Sequence, residues 1–258
     1  MGVSPLALAR RGMVLAATLD APARGNPLSR AVIAGLHAAL DTAEADPTIR
    51  ILTIEGAGGT FCIGMDFAEA TATGPITPEE VRALIASLYD LFERFTTSEV
   101  TVVALVDGPA TAGGLGLVAA SDIAIATPRA SFQLSELLFG LLPATVAPFL
   151  IRRMGVQDPY RMTLTAERMD APTALARRLV DEVTEKPADA VRRLMIRLDR
   201  IARPDIAAAK AYFRGLWIMD EATKQHAVSA IAARVTDPRT MPAIRAFLDQ
   251  GATPWRTP

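Results

Sequence analysis

The chain has 258 residues, half of them apolar, with 27 basic side chains against 28 acidic ones and a net charge of −1. That length suits one large domain or a domain with a helical extension, and the balanced charge leaves no general attraction to nucleic acid or an anionic membrane. A single cysteine, Cys62, excludes an internal disulfide and fits a reducing cytoplasm.

The first twenty residues, MGVSPLALARRGMVLAATLD, carry charges inside their apolar stretch and read as neither signal peptide nor membrane span. Residues 13–19 predict a strand, and the Pro/Gly-rich APARGNP a turn. Ser29 is placed to cap a helix over 30–45, with Val32, Ile33, Leu36 and Leu40 on one face and Pro47 beyond its end. Residues 51–55 (ILTIE) predict a buried strand, and GAGGTFCIGMDF is too glycine-rich for a regular element. Thr77-Pro78-Glu79-Glu80 has the form of a capping box with proline at the first helical position, so a helix is expected to about 95. The continuous apolar run 100–106 (VTVVALV) predicts a strand buried on both faces. A short helix near 114–120 and two further strands, DIAIA and ASFQL, follow.

From about 144 the pattern is almost wholly helical. One helix ends at Gly155, and others fit 172–178, 187–203, 205–218, 219–236 and 240–249. Strands alternating with helices, then helices alone, imply an α/β protein with a layered parallel core and a helical C-terminal region. The division expected is 1–195 and 196–258. The second part has too few polar residues to stand free, so it packs on its own core or on a neighbouring subunit.

Two features carry chemistry. GPATAGGLG (108–116) lies directly behind the apolar strand and puts bare backbone N–H groups where a thioester carbonyl can rest. Glu136 is the only carboxylate in ASFQLSELLFGLLP, among Leu134, Leu137, Leu138 and Phe139. A donor loop and one carboxylate in an apolar setting point to proton abstraction beside a carbonyl. The bland alternatives are glycines that only allow close packing and a capping or surface glutamate. G114-L-G-L-V-A119 also matches the dinucleotide pattern G-x-G-x-x-A, but GPATAG separates it from the strand, and only two helical turns precede Asp122.

GGTFCIGMDFAEA and VDGPATAGGLGLVAASDIAIATPRASF resemble the two signature segments of the enoyl-CoA hydratase/isomerase (crotonase) superfamily. The likeness spans about residues 10 to 258. Within the superfamily, the stretch to Gly155 and the closing GATPW resemble the dehydratases of polyketide β-branching cassettes. That group acts on 3-hydroxy-3-methylglutaryl groups carried on an acyl carrier protein. The resemblance implies a crotonase fold of repeated ββα units with a C-terminal helical trimerisation region, assembling as a homotrimer or hexamer. It implies no cofactor beyond the phosphopantetheine of a carrier protein, or CoA, that bears the substrate. It places the oxyanion donors at the N–H groups of Met65, just after Gly64, and of Gly113, with Gly114 beside them. Hydratases of the superfamily carry a glutamate where this chain has Gly116; the second family glutamate is retained as Glu136. One carboxylate can move a proton but grips water less well than two. Dehydration with Glu136 as base and then acid is therefore expected, with Gly116 leaving space for a branched substrate.

Tyr89 either lines the acyl pocket or is a packed aromatic. Arg24, in the turn with Asn26, either meets a phosphopantetheine phosphate or is solvated, and Arg82 is a candidate for the distal carboxylate. Asp66 reads as structural, Cys62 as a small buried residue, His37 as facing outward and His226 as a plain helical residue. The cysteine and two histidines are too scattered for a metal cluster. The arginines between 192 and 203 read as a solvated or subunit-facing helix. The competing activities are enoyl-CoA isomerase or hydratase, a decarboxylase of the same cassette, and a non-catalytic binding protein.

Overall fold

The computed structural model describes residues 5–66, 69, 77–217 and 219–250. The GATPW tail lies outside them. Nine strands are described: β1 (Leu6–Arg11), β2 (Val14–Leu19), β3 (Ile51–Gly56), β4 (Thr101–Val106), β5 (Pro109–Thr111), β6 (Ile123–Ala126), β7 (Ser131–Gln133), β8 (Met169–Asp170) and β9 (Glu182–Val183). The helices are α1 (Arg30–Ala45), α2 (Pro78–Thr97), α3 (Gly113–Ala120), α4 (Ala147–Met154) and α5 (Gln157–Thr165). They continue with α6 (Ala171–Ala176), α7 (Pro187–Leu198), α8 (Arg203–Arg214), α9 (Glu221–Val235) and α10 (Thr240–Gln250).

A six-stranded sheet runs β1-β2-β3-β4-β6-β9, antiparallel only in the β1–β2 hairpin. One face packs Val14, Ile51, Val103 and Ile125 against Ala190 and Val191 of α7. The other packs Leu15, Leu52, Ile54 and Val102 into the main core with Val32, Ile33, Leu36 and Leu40 of α1. Burial on both faces is why these strands read as unbroken apolar runs. A second sheet, β5-β7-β8, pairs β5 and β7 in parallel. The predicted caps form as expected. The Ser29 hydroxyl accepts from the Val32 N–H at 3.1 Å, and Thr77 and Glu80 make both bonds of the capping box.

Several expectations are corrected. β1 lies beyond the strands expected: it is an edge strand buried only at Leu6, so no apolar run marks it. The expected helix 187–203 stops at Leu198, where Arg50 donates to the Leu198 and Ile201 carbonyls. His37 does not face outward: its ring nitrogens meet the Ser87 carbonyl oxygen at 3.1 Å and Arg94 at 3.3 Å.

The C-terminal helices pack on the chain's own core. Val228, Ile231, Val235 and Ile244 close over Val81 and Ile85 of α2. α8 docks through cations instead. Arg203 donates to the Asp46 and Glu44 carbonyls and to Glu99, Lys210 to the Phe95 and Val100 carbonyls, and Arg214 to Thr96 and Glu93. Most of these acceptors lie at the C-terminal ends of α1 and α2, where carbonyls are unpaired and the helix dipole favours positive charge. No described helix is long and apolar enough to cross a membrane.

Candidate active site

Three parallel segments end together. β5 and β7 pair Thr111 with Gln133, and an isolated parallel bridge pairs Cys62 with Ala110. Continuing each segment a few residues past its last pair brings the chain to Met65, Gly113 and Glu136. The shared register carries the three segments toward one end of the small sheet.

Each loop is shaped for its task. The Leu28 N–H donates to the Gly64 carbonyl at 2.7 Å, and the Asp66 N–H to the Leu28 carbonyl at 3.1 Å. In such a parallel bridge the residue between, Met65, turns its own N–H the other way. Gly64 has φ 94°, and a β carbon there would lie 3.1 Å from the Gly113 nitrogen, so the two donor loops abut. Ala112 precedes Gly113 at φ 48°, an uncommon conformation for a residue with a side chain. It is held by its N–H to the Gln133 carbonyl at 3.0 Å and by accepting from Leu115 and Gly116. Gly113 then opens α3, where the first N–H groups have no intrahelical partner. Among the described residues, neither the Met65 N–H nor the Gly113 N–H has an acceptor. Two free donors on touching loops can hold an oxyanion.

Glu136 begins a short 3-10 turn, Glu136–Phe139, and is 9% exposed. Its Oε2 has no hydrogen-bond partner among the described residues. Burial pushes the carboxyl from 4.5 up to about 7, opposed only by N–H groups of Glu136 and Ser135. A carboxyl poised near neutrality with a free oxygen suits proton transfer in both directions. The bland surface-carboxylate reading does not fit this burial.

The other singled-out residues divide. Gly114 serves packing: a β carbon there would lie 2.3 Å from the Cys62 carbonyl oxygen. The space expected beside Gly116 is absent, because the Phe92 ring from α2 fills it; a β carbon at 116 would meet Phe92 Cζ at 2.5 Å and Val146 Cγ2 at 3.2 Å. Phe92 escaped sequence reasoning. Its one signal is its i+4 spacing from Leu88, whose tip faces Gly113. Tyr89 is fully buried and packs edge-on to Phe149 at 5.4 Å, with no described partner for its hydroxyl. Arg24 is 55% exposed and bonded at 2.6 Å to buried Asp66, whose other oxygen accepts from the Glu69 N–H. Asn26 ties Ala21, Ala57 and Thr60 together. Arg82 is exposed beside Glu79. Burial raises the Cys62 thiol to about 12, so it is no nucleophile.

Two open cavities of about 440 Å³ lie elsewhere, lined by residues of α8 and by Trp217. Their cations Lys210, Arg152, Arg153 and Arg214 are already bonded to carbonyls, hydroxyls or carboxylates.

A family model described as Enoyl-CoA hydratase/isomerase matches residues 9–256. The chain belongs to that family. The bacillaene synthase dehydratase PksH of Bacillus subtilis is 33% identical over 238 residues, covering 92% of this chain and 91% of that protein. The enoyl-CoA hydratase EchA19 of Mycobacterium tuberculosis is 32% identical over 175 residues, 67% of this chain and 66% of its own length. The crystal structure of PksH superposes with a TM-score of 0.87 at 31% identity, covering 95% of this chain and 97% of that one. An enoyl-CoA hydratase from Mycobacterium avium gives 0.83 at 28% identity, covering 99% and 100%. The architecture is the crotonase fold, and the chain is an enzyme of the enoyl-CoA hydratase/isomerase family.

Proposed function

We propose that this enzyme is a dehydratase of polyketide biosynthesis, removing water from a 3-hydroxy-3-methylglutaryl thioester on an acyl carrier protein to give the 3-methylglutaconyl thioester. The observation that carries the reading is the buried Glu136 carboxyl with its free Oε2, at the end of the register shared by the two unpaired N–H groups. The likeness to a polyketide dehydratase over nine-tenths of both chains supports the pathway.

Ionised Glu136 takes a proton from the α carbon, and the electron pair moves onto the thioester oxygen, where the Met65 and Gly113 N–H groups hold it. Re-formation of the carbonyl drives the pair into the α–β bond. The β C–O bond breaks, and the hydroxyl leaves as water with the proton Glu136 had taken. A tertiary β carbon stabilises positive charge as that bond stretches, so the hydroxyl needs less help than a secondary one. This offsets the absence of a second carboxylate at Gly116. The same steps reversed hydrate the product, so the enzyme sets the rate and the thioester pair sets the direction. The steps call for no resident metal or redox cofactor.

Arg24 keeps guanidinium surface free for the phosphate of the pantetheine arm, and exposed Arg82 is assigned to the distal carboxylate. The exposed apolar side chains of α5 and α8, such as Tyr160, Leu164, Tyr212 and Phe213, are assigned to contacts between copies in a homotrimer or hexamer. The cytoplasm is the compartment that fits a carrier-bound substrate and one reduced thiol.

Purified protein is offered three substrates: 3-hydroxy-3-methylglutaryl carrier protein, crotonyl-CoA and 3-methylglutaconyl carrier protein. Loss of water from the first, without loss of carbon dioxide from the third, supports the dehydratase. Turnover of crotonyl-CoA alone overturns it in favour of enoyl-CoA hydration, the activity named for the mycobacterial relative.

A further inference from the structure

We infer that Phe92 is a positioning residue for the oxyanion donor: its ring is the seat on which α3 rests, and through Gly116 it fixes where the Gly113 N–H points. The inference rests on the donor role proposed for Gly113. α3 begins GGLG, so its first turn has almost no side chains with which to hold its place. What touches the bare backbone decides its position. At Gly113 the neighbours are the tips of Leu28 and Leu88, at 3.1 and 3.8 Å from where a β carbon would sit, and the Gly64 Cα at 3.7 Å; leucine tips can yield, and the backbone atom stands at ordinary contact distance. At Gly114 the neighbour is the Cys62 carbonyl, which positions the helix along the loop. At Gly116 it is the edge of Phe92, whose Cζ and Cε2 would lie 2.5 and 2.6 Å from a β carbon.

The Phe92 edge cannot yield. Its ring is fully buried and packs edge-on to Phe149 at 5.4 Å and 76°, and Phe149 packs in turn on Tyr89. The helix that carries it is tied at both ends, by the Thr77 capping box and by Lys210 and Arg214 at its C-terminal turn. Residues 113 and 116 are three apart and lie on one face of α3, so a push at 116 moves the donor itself. A displacement of about 1 Å in a catalytic group can cost on the order of 100-fold in rate.

The test reads turnover and carbonyl polarisation together, the latter as the red shift of a conjugated dienoyl thioester bound to the full-length enzyme. Gly116→Ala should lower kcat on the order of 100-fold, with KM changed little and the red shift reduced. Gly116→Ala with Phe92→Leu, which removes the two clashing ring atoms, should regain most of both. Should Gly116→Ala fail to fold, Phe92→Ala serves: a loosened seat should lower kcat and the red shift while leaving KM nearly unchanged. Full kcat and red shift in folded Gly116→Ala, or a double variant as impaired as the single one, would overturn the inference. A wild-type enzyme that binds the dienoyl thioester without any red shift would instead overturn the donor reading beneath it.

Discussion

Glu136→Gln separates the catalytic demand on this side chain from its cost to the fold, because the two effects have opposite signs. The amide keeps the shape and removes the ionisation. General acid–base catalysis contributes about 10²–10⁴-fold, and Glu136 is asked to act twice per turnover, so kcat should fall by about 10³-fold or more. Stability should move the other way. The carboxyl titrates near 4.5 in the unfolded chain and near 7 in the folded one. A carboxyl raised by folding favours the folded state fully below the lower value and loses that contribution as pH rises through the upper one. The native enzyme therefore carries a penalty above pH 7 that approaches about 3 kcal/mol, and the glutamine variant escapes it. Urea unfolding at pH 8 should show the variant more stable by up to that amount, with the difference disappearing near pH 4. Wild-type kcat/KM should rise about tenfold per pH unit below 7 and level off above it. A variant retaining activity within tenfold, or a wild-type profile flat from pH 5.5 to 8.5, would refute the reasoning.

Other perturbations follow from the same geometry. Native protein should leave Cys62 unreactive toward a thiol reagent at pH 8, since burial raises it to about 12, and one thiol should appear on unfolding. Arg203→Met should destabilise by about 2–4 kcal/mol in denaturant titration, because it frees the Asp46 and Glu44 carbonyls and Glu99 at once. Arg24→Ala should cost less than about 1 kcal/mol of stability while raising KM for a carrier-bound thioester more than for a short pantetheine analogue. Gly114→Ala should lower the melting temperature sharply, because its β carbon would overlap the Cys62 carbonyl backbone.

Local signals made much of this fold legible. Continuous apolar runs fixed the central strands because both sheet faces are covered, and the Ser29 and Thr77 caps lie within three residues of the groups they satisfy. β1, β8 and β9 were not legible. The first is a solvated edge, and the others are two residues long and exist only through pairing with distant partners. The end of α7 is set by Arg50, far away in the chain, so no local breaker announced it. At the site, Gly113 and Glu136 stood out by composition. Their convergence depends on the register of β5 with β7, and Phe92 on how α2 crosses α3. The free volume expected at Gly116 failed for that reason: a missing side chain in one helix was filled from another.

The central claim is that Glu136 removes an α proton while two main-chain N–H groups hold the resulting enolate. A saturated acyl thioester lacking the β-hydroxyl isolates that step, since nothing can be eliminated and only exchange remains. Incubated with the enzyme in D2O and followed by NMR, its α protons should be replaced by deuterium, and Glu136→Gln should slow the replacement on the order of 100-fold or more. No exchange with the wild-type enzyme, or equal exchange with both, would contradict the account.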